Sequence, residues 1–262
     1  MIFDRFSVSP SPLQNHLLAA LAVETQNKLV PHLELVVLSP GEVLAEFGET
    51  MSHVYFPIDS VVSLMCNIEN GGTTEVAVVG NEGVLGVAIF MGNMTAMMQA
   101  VVLNTGFAYR LPARMLKAEF DLFGPAMDLL LRYAMALITQ VSQTSVCSRH
   151  HSIEQRLCRL LLLSLDRSLT SSFSMTQEQI SAMLGVRREG VTSAASTLLN
   201  LGAIHYSRGH IKVLDRPQLE RRSCECYAVV KNEVDRLLPP TLSRRVAKAR
   251  IGASTVNSVF HQ

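Results

Sequence analysis

Apolar positions along this chain change their period twice. From residue 36 to 112 they come in short β-type runs set off by turn signals: Val36-Val37-Leu38 before Pro40-Gly41, Val54-Tyr55-Phe56, Val61 to Leu64 before Asn70-Gly71-Gly72, Val76 to Val79, Ala100 to Leu103, and Phe107 to Leu111. Such even spacing predicts a small antiparallel barrel or roll. After Gly124-Pro125 the period becomes helical, and proline suits the first turn of a helix. Met127, Leu130, Ala134, Leu137, Val141, Thr144 and Ser148 recur at alternating steps of three and four. About 26 residues at ~1.5 Å each give a helix of ~39 Å, long enough to link two domains. Its seam is expected to pair with a twin across a dimer axis, while Leu131, Met135 and Ile138 on the other face pack on the roll. An amphipathic helix serving only its own chain is the alternative. Ser152, with Gln155 three places on, then caps a new helix, which puts a bend and a candidate hinge near Arg149 to His151.

The third pattern runs from Met175 to Leu214 and reads as a winged helix-turn-helix. Thr176 and Gln179 form a capping box, and Ile180, Met183 and Leu184 fall on one stripe. Gly185 supplies the left-handed residue that a tight interhelical turn needs. A second helix follows, with Val191, Ala194, Ala195, Leu198 and Leu199 inward and Arg187, Arg188, Glu189, Thr192, Ser193 and Thr197 outward. After Leu201-Gly202, two short strands, Ala203 to Tyr206 and Ile211 to Leu214, flank Ser207-Arg208-Gly209-His210 as a wing. Cap, glycine, polar face and wing in this order predict a reader of double-stranded DNA. The alternative is a ligand-binding or interaction module whose helix-turn-helix has become a protein contact surface.

Charge changes the picture in favour of DNA. The formal net charge is only +1, yet residues 1–148 hold 6 Lys+Arg against 13 Asp+Glu, and residues 149–262 hold 17 against 9. A basic half joined to an acidic half is what phosphate binding by one domain predicts. A chain of 262 residues with 48% hydrophobic content can bury two domain cores. No apolar run approaches the ~20 residues that cross a bilayer; the densest is Leu160 to Leu165. Leu17 to Val23 follows no basic cluster and leads into Glu24, so it reads as a helix rather than a signal peptide. The expectation is a cytoplasmic protein without a membrane partner. Five cysteines, an odd number in a chain this long, do not suggest a disulfide framework.

The fold class predicted is α+β, divided as a roll sensor domain over 1–124, a dimerisation helix and hinge over 125–150, a winged helix-turn-helix domain with a C-terminal helix over 151–238, and a tail over 239–262. That order resembles the Crp/Fnr superfamily of bacterial transcription regulators, and the likeness extends from about residue 15 to 215. It is carried by Pro40-Gly41-Glu42-Val43-Leu44, Gly48-Glu49, Val54-Tyr55-Phe56 and Gly80-Asn81-Glu82-Gly83-Val84-Leu85-Gly86 in the roll, and by Leu184-Gly185-Val186-Arg187-Arg188-Glu189-Gly190-Val191 in the reader. The resemblance implies a homodimer that docks two recognition helices in successive major grooves and contacts RNA polymerase. By position, it also implies that Arg188 and Glu189 read base edges, with Thr192 and Ser193 next to them. An arginine can bond O6 and N7 of guanine together, and a glutamate can accept from the amino group of cytosine. Some members carry arginine where Ser193 stands, which leaves the operator preference open. Thr176, Gln177, Arg187, Arg208 and His210 are expected to hold phosphate.

The sensor site departs from the family. Members that bind cyclic nucleotide follow a Gly-Glu with an Arg-Ser or Arg-Thr clamp about ten residues later. This chain has Gly86-Val87, then Met97-Met98. A cyclic phosphate buried without a guanidinium partner keeps an uncompensated charge, so control by cyclic nucleotide is not expected. Val87, Met97 and Met98 mark the candidate effector pocket. Met91, Met94, Met97 and Met98 either fill irregular core space or line a pocket for an apolar effector or haem; no cofactor is predicted. Nothing before Cys66 is a cysteine, which disfavours the family's N-terminal iron–sulfur cluster. Cys224 and Cys226 are placed on one helix from Pro217 to Leu238, where their side chains diverge by about 200° and a shared metal is poor geometry. His150-His151 beside Cys147 diverge in the same way, and no metal site is expected. No Gly-x-Ser-x-Gly, His-Glu-x-x-His, P-loop or dinucleotide glycine pattern occurs, so the chain is not expected to be an enzyme.

Overall fold

A computed structural model of the chain describes residues 10–69, 71–168 and 171–238; Asn70 of one predicted turn, the residue pair 169–170 and the predicted tail over 239–262 lie outside the described residues. Two short helices lead in, α1 (His16–Ala20) and α2 (Val23–Leu29). The Asn15 side chain caps α1 from a fully buried position, its amide donating to Pro57 O and Gly83 O at 2.9 Å each. The apolar segment Leu17 to Val23 is thus helix docked into the roll as far as Ala20, and it breaks at Leu21-Ala22 before α2.

The roll holds two antiparallel sheets. One orders β1 (Glu34–Leu38), β7 (Gly106–Pro112) and β3 (His53–Pro57); the other orders β2 (Val43–Ala45), β6 (Gln99–Val102), β4 (Val62–Asn67) and β5 (Thr73–Val79). Each predicted run lies on one of these strands. The three-residue β2 and the helices α3 (Val87–Phe90) and α4 (Ala113–Phe120) are too short or too weakly patterned to stand out in sequence. Val54, Phe56, Leu64, Val79, Ala100, Val102 and Leu111 fill the interior. Strand β4 does not alternate as a half-buried strand should, because both of its faces are covered. Its outer face, through Met65 with Val61 and Val78, packs against the leucines of α6 (Ile153–Arg167). That explains an apolar run, Leu160 to Leu163, buried on every side of its helix.

Helix α5 (Pro125–His150) begins at the predicted proline and has 26 residues. Its polarity reverses the expectation. Leu130 and Ala134 are 1% and 4% exposed and belong to the roll core, with Leu137 and Val141 packed against it. Leu131, Met135 and Ile138, expected to face the roll, are 40%, 50% and 49% exposed. Steps of three and four mark a stripe without saying which partner covers it. The choice is made by Tyr133, whose hydroxyl donates to Val84 O at 3.1 Å. Its ring lies where a Cβ on Gly83 would come within 2.2 Å, so the glycine admits the tyrosine and turns this face of the helix onto the roll. Of the expected seam Met127, Leu130, Ala134, Leu137 and Val141, the last four are accordingly corrected to the roll-facing side, while Met127 is half-buried; the outward stripe is Leu131, Met135 and Ile138.

At His151 the backbone is extended, and Ser152 caps α6 through the predicted box with Gln155. The sheet of the last domain orders β8 (Ser172–Ser174), β10 (His210–Val213) and β9 (Ile204–Ser207), with α7 (Gln177–Leu184) and α8 (Arg188–Asn200) between β8 and β9 in sequence. The single C-terminal helix expected over 217–238 is two helices, α9 (Arg216–Arg222) and α10 (Glu225–Leu237). Asp215 caps α9, which ends at Ser223, and Cys224 is the extended N-cap residue of α10. The chain turns there, and α10 packs back along α5 with Val234, Leu237 and Leu238 in the roll core.

A buried polar network joins the layers. Arg167 Nε donates to Glu82 Oε1 at 2.6 Å, Arg167 Nη2 to Gln140 Oε1 at 2.9 Å, and Gln140 Nε2 to Val78 O at 3.0 Å. Glu82 and Val78 of the roll, Gln140 of α5 and Arg167 of α6 are thereby tied together. A Cβ on Gly80 would lie 2.5 Å from Arg167 Cβ, so the Gly80-Asn81-Glu82-Gly83 segment makes room for Arg167 at one end and Tyr133 at the other.

Candidate nucleic-acid interface

The reading head is assembled by three local devices. The Thr176 hydroxyl accepts from Gln179 N at 3.1 Å and Gln179 Oε1 accepts from Thr176 N at 2.8 Å, so the first turn of α7 is closed at both backbone donors. Gly185 takes the left-handed conformation at φ 60°, and α8 starts three residues later. Ile180, Met183, Leu184, Val191, Ala194, Ala195 and Leu198 are buried, as their periodicity predicts. Leu199 is the exception at 43% exposed, because the helix ends within two residues and leaves nothing to cover it.

Helix α8 presents Arg188, Glu189, Thr192 and Ser193 to solvent, with Arg187 as its N-cap residue. Arg187, Arg188, Glu189 and Arg208 have no ion-pair partner among the described residues. Thr176, Gln177, Arg188, Tyr206, Arg208 and Gly209 line one open concavity of about 360 Å³ that runs from the start of α7 across the recognition helix to the wing. Thr192 Oγ1 lies 2.8 Å from Gln177 Oε1 and 3.0 Å from Arg188 O, so this hydroxyl bridges the two helices of the motif in the free protein. Tyr206, absent from the sequence-based set, walls the concavity and donates to Met175 O at 3.2 Å. A half-apolar strand position carries no signal that would single it out.

The wing turn is strained in an informative way. Arg208 and Gly209 both have positive φ, 50° and 79°, between paired Ser207 and His210. A two-residue turn of this kind favours Asn-Gly or Gly-Gly, and a non-glycine residue there is uncommon. His210, grouped with Arg208 in sequence, is exposed and lines a separate cleft with Pro40, Asp59, Asn104 and Ser172, between wing and roll.

The head is docked on the roll. A Cβ on Gly185 would lie 2.8 Å from Thr74 Oγ1 of β5. Ser63, Met65 and Gln99 of the roll share a cavity of about 130 Å³ with Met175, Gln179 and Met183 of the head. At this junction Glu75 accepts from Ser63 Oγ at 2.7 Å. Burial pushes the Glu75 carboxyl up to about 7, while the Ser63 bond, Arg159 and Arg167 pull it down. Because the folded-state value is the raised one, the stability contributed here is complete below the ordinary value of 4.5 and is lost as pH rises through about 7. Glu75→Gln, which keeps a partner for Ser63, is expected to flatten the fall in thermal midpoint across that window; an unchanged pH profile would show that Glu75 is not its source.

The predicted effector residues do converge. Val87, Met97 and Met98 line a cavity of about 180 Å³ with Met51, Leu64, Val84, Met91 and Leu137, and no charged side chain is among the lining residues. The volume lies below the ~300–1,000 Å³ usual for small-molecule sites. Its wall holds no histidine, cysteine or tyrosine, and the thioethers of Met51, Met91, Met97 and Met98 are the only groups on it that could ligate iron.

Among the described residues, no single helix is long and apolar enough to cross a membrane. Two family models match in series, a cyclic nucleotide-binding domain over residues 35–121 and a Crp-like helix-turn-helix domain over residues 155–222. No curated protein matches the chain at a significant level. Among solved structures, it is similar to a crp/fnr-family protein from Eubacterium rectale, at 16% identity and TM-score 0.63, over 80% of this chain and 98% of that one. It is also similar to FixK2 from Bradyrhizobium japonicum, at 15% identity and TM-score 0.61, over 73% and 98% of the two chains. A third likeness is to a CRP-family transcriptional regulator from Thermus thermophilus, at 18% identity and TM-score 0.60, over 72% and 96%. Roll, long helix and helix-turn-helix in this order, with both domains matched on one chain, place the protein in the Crp/Fnr superfamily, with a transcription-regulator fold and a helix-turn-helix DNA-binding domain.

Proposed function

We propose that the protein is a homodimeric, sequence-specific DNA-binding regulator that reads a twofold-symmetric operator and does not answer to cyclic nucleotide. The observation that carries this reading is the concavity lined by Thr176, Gln177, Arg188 and Arg208, whose two arginines have no ion-pair partner among the described residues. On this face of the head, Arg188 and Glu189 read base edges, Thr192 and Ser193 complete the reading set, and Thr176, Gln177, Arg187 and Arg208 hold phosphate. Thr192 exchanges its contact with Gln177 for one to DNA. Selection from a random duplex pool is expected to return an inverted repeat with half-sites about 34–36 Å apart. Recovery of a lone half-site would argue against the dimer, and no enrichment at all would favour a protein contact surface in place of a DNA reader.

The exposed stripe Leu131, Met135 and Ile138, spaced four and three apart, supports pairing of α5 with a second copy. Met135→Glu is expected to halve the particle mass in solution while leaving the fold intact, whereas Leu130→Glu should unfold the roll. A Met135→Glu protein of unchanged mass would sink this seam. The apolar lining at Met97 and Met98 supports the absence of cyclic nucleotide control, since a buried phosphate there would have no cation. Isothermal titration with cyclic AMP is expected to give no heat of binding; micromolar affinity would overturn it.

A further inference from the structure

We propose that Cys147, His151, Cys224 and Cys226 form a closed, four-ligand site for a zinc-class divalent cation, which staples the end of the long helix to the start of the C-terminal helix. The two cysteines that diverge on paper converge in the fold, because Cys224 is the N-cap residue of α10 and not part of a helix shared with α9. Cys147 stands on the last turn of α5 and His151 is its C-cap residue. The three thiols are buried and form a small cluster of their own, with the imidazole beside them.

The spacing is that of a coordination shell. The four candidate ligand atoms all lie within 4.8 Å of one another. Cys147 Sγ and Cys224 Sγ are 3.5 Å apart, and Cys226 Sγ and His151 Nδ1 are 3.6 Å apart. A tetrahedron with Zn–S ≈ 2.3 Å and Zn–N ≈ 2.0–2.1 Å has edges of ~3.8 Å between sulfurs and ~3.6 Å between sulfur and nitrogen. Two opposite edges are therefore already near their bonded length, and small side-chain rotations close the rest. A disulfide between Cys147 and Cys224 would use two of these groups and leave Cys226 and His151 without a purpose. A metal uses all four.

The surroundings complete the case. With Nδ1 turned to the thiols, His151 Nε2 lies 3.2 Å from Glu225 Oε1, the carboxylate–imidazole arrangement that fixes the tautomer and ring of a metal-binding histidine. Cys224 and Cys226 sit at the N-terminal end of a 13-residue helix, where the dipole favours thiolate. Three thiolates and a divalent cation leave one net negative charge, and Arg159, buried on α6, lies close enough to act on Cys147 and Cys226 electrostatically. The thiol protons leave to solvent as the metal binds. All four positions are taken by protein, which makes the site structural rather than catalytic.

The test titrates full-length, reduced, chelator-treated protein with Co²⁺ alone and then with Zn²⁺ alone. One equivalent of Co²⁺ is expected to give intense visible bands of a tetrahedral thiolate site, which one equivalent of Zn²⁺ abolishes. Cys224→Ser and Cys226→Ser should lose those bands, and Cys66→Ser, on the exposed end of β4, should keep them. Glu225→Gln retains every ligand and is expected to bind ~10–100-fold more weakly, which keeps the proposal testable if a cysteine variant misfolds. Sub-stoichiometric uptake by folded wild type, octahedral cobalt spectra, or bands that survive both Cys224→Ser and Cys226→Ser would overturn it.

Discussion

Arg167→Met is expected to lower the free energy of unfolding by about 3–5 kcal/mol, the cost of stranding the charge of a buried partner. Arg167 and Glu82 are only 6% and 7% exposed at their side chains, Arg167 Nε lies 2.6 Å from Glu82 Oε1, and Glu82 Oε2 has no hydrogen-bond partner among the described residues. Once the guanidinium is gone, the Glu82 carboxylate is left buried without its counter-charge. Gln140 loses its donor at the same time. The double variant Arg167→Met with Glu82→Leu removes both charges and is expected to recover most of the loss, because an ion pair replaced by apolar groups of similar size is often neutral. Chemical denaturation followed by circular dichroism reads both. If the single variant is as stable as wild type, the pair is solvated and does not join roll, α5 and α6 as described.

The same pair shows where sequence reasoning reaches and where it stops. The winged helix-turn-helix was legible in outline because its signals are local: a capping box, a left-handed glycine and a polar helix face each act within a few positions. The strands of the roll were legible for the same reason. What could not be read was which long-range partner claims a surface. The stripe on α5 has the right spacing for a dimer seam, yet Tyr133, admitted by Gly83 some fifty residues away, turns it onto the roll. His210 neighbours Arg208 in sequence, but it lines a different cleft, with residues of the roll. Cys224 and Cys226 looked divergent because an unbroken helix was assumed, and the extended N-cap residue between α9 and α10 removes that premise. In each case the local period was sound and the missing information was tertiary.

The two arginines of the reading concavity should fail in different ways when removed. Arg188→Ala is expected to cost ~1–3 kcal/mol on the preferred operator, roughly 5- to 140-fold in affinity, and little on duplexes altered at the base it reads. Arg208 tests the other role. Arg208→Asn suits the positive φ of the wing turn, so the fold should be as stable or slightly more so, while affinity falls by a similar factor on every sequence. The salt dependence separates them further: the slope of log affinity against log salt should shrink by about 0.9 for each phosphate contact that the Arg208 change removes, and hardly at all for a base contact. Fluorescence anisotropy on matched and mismatched duplexes across 50–200 mM salt resolves both, since a reader making 6–10 phosphate contacts loses ~10³–10⁵ in affinity over that range. A uniform loss on all duplexes for Arg188→Ala, with a reduced slope, would move Arg188 from base to backbone. If wild-type binding shows no salt slope, the concavity does not hold a phosphate chain, and the unpartnered charges around it serve an acidic protein surface instead.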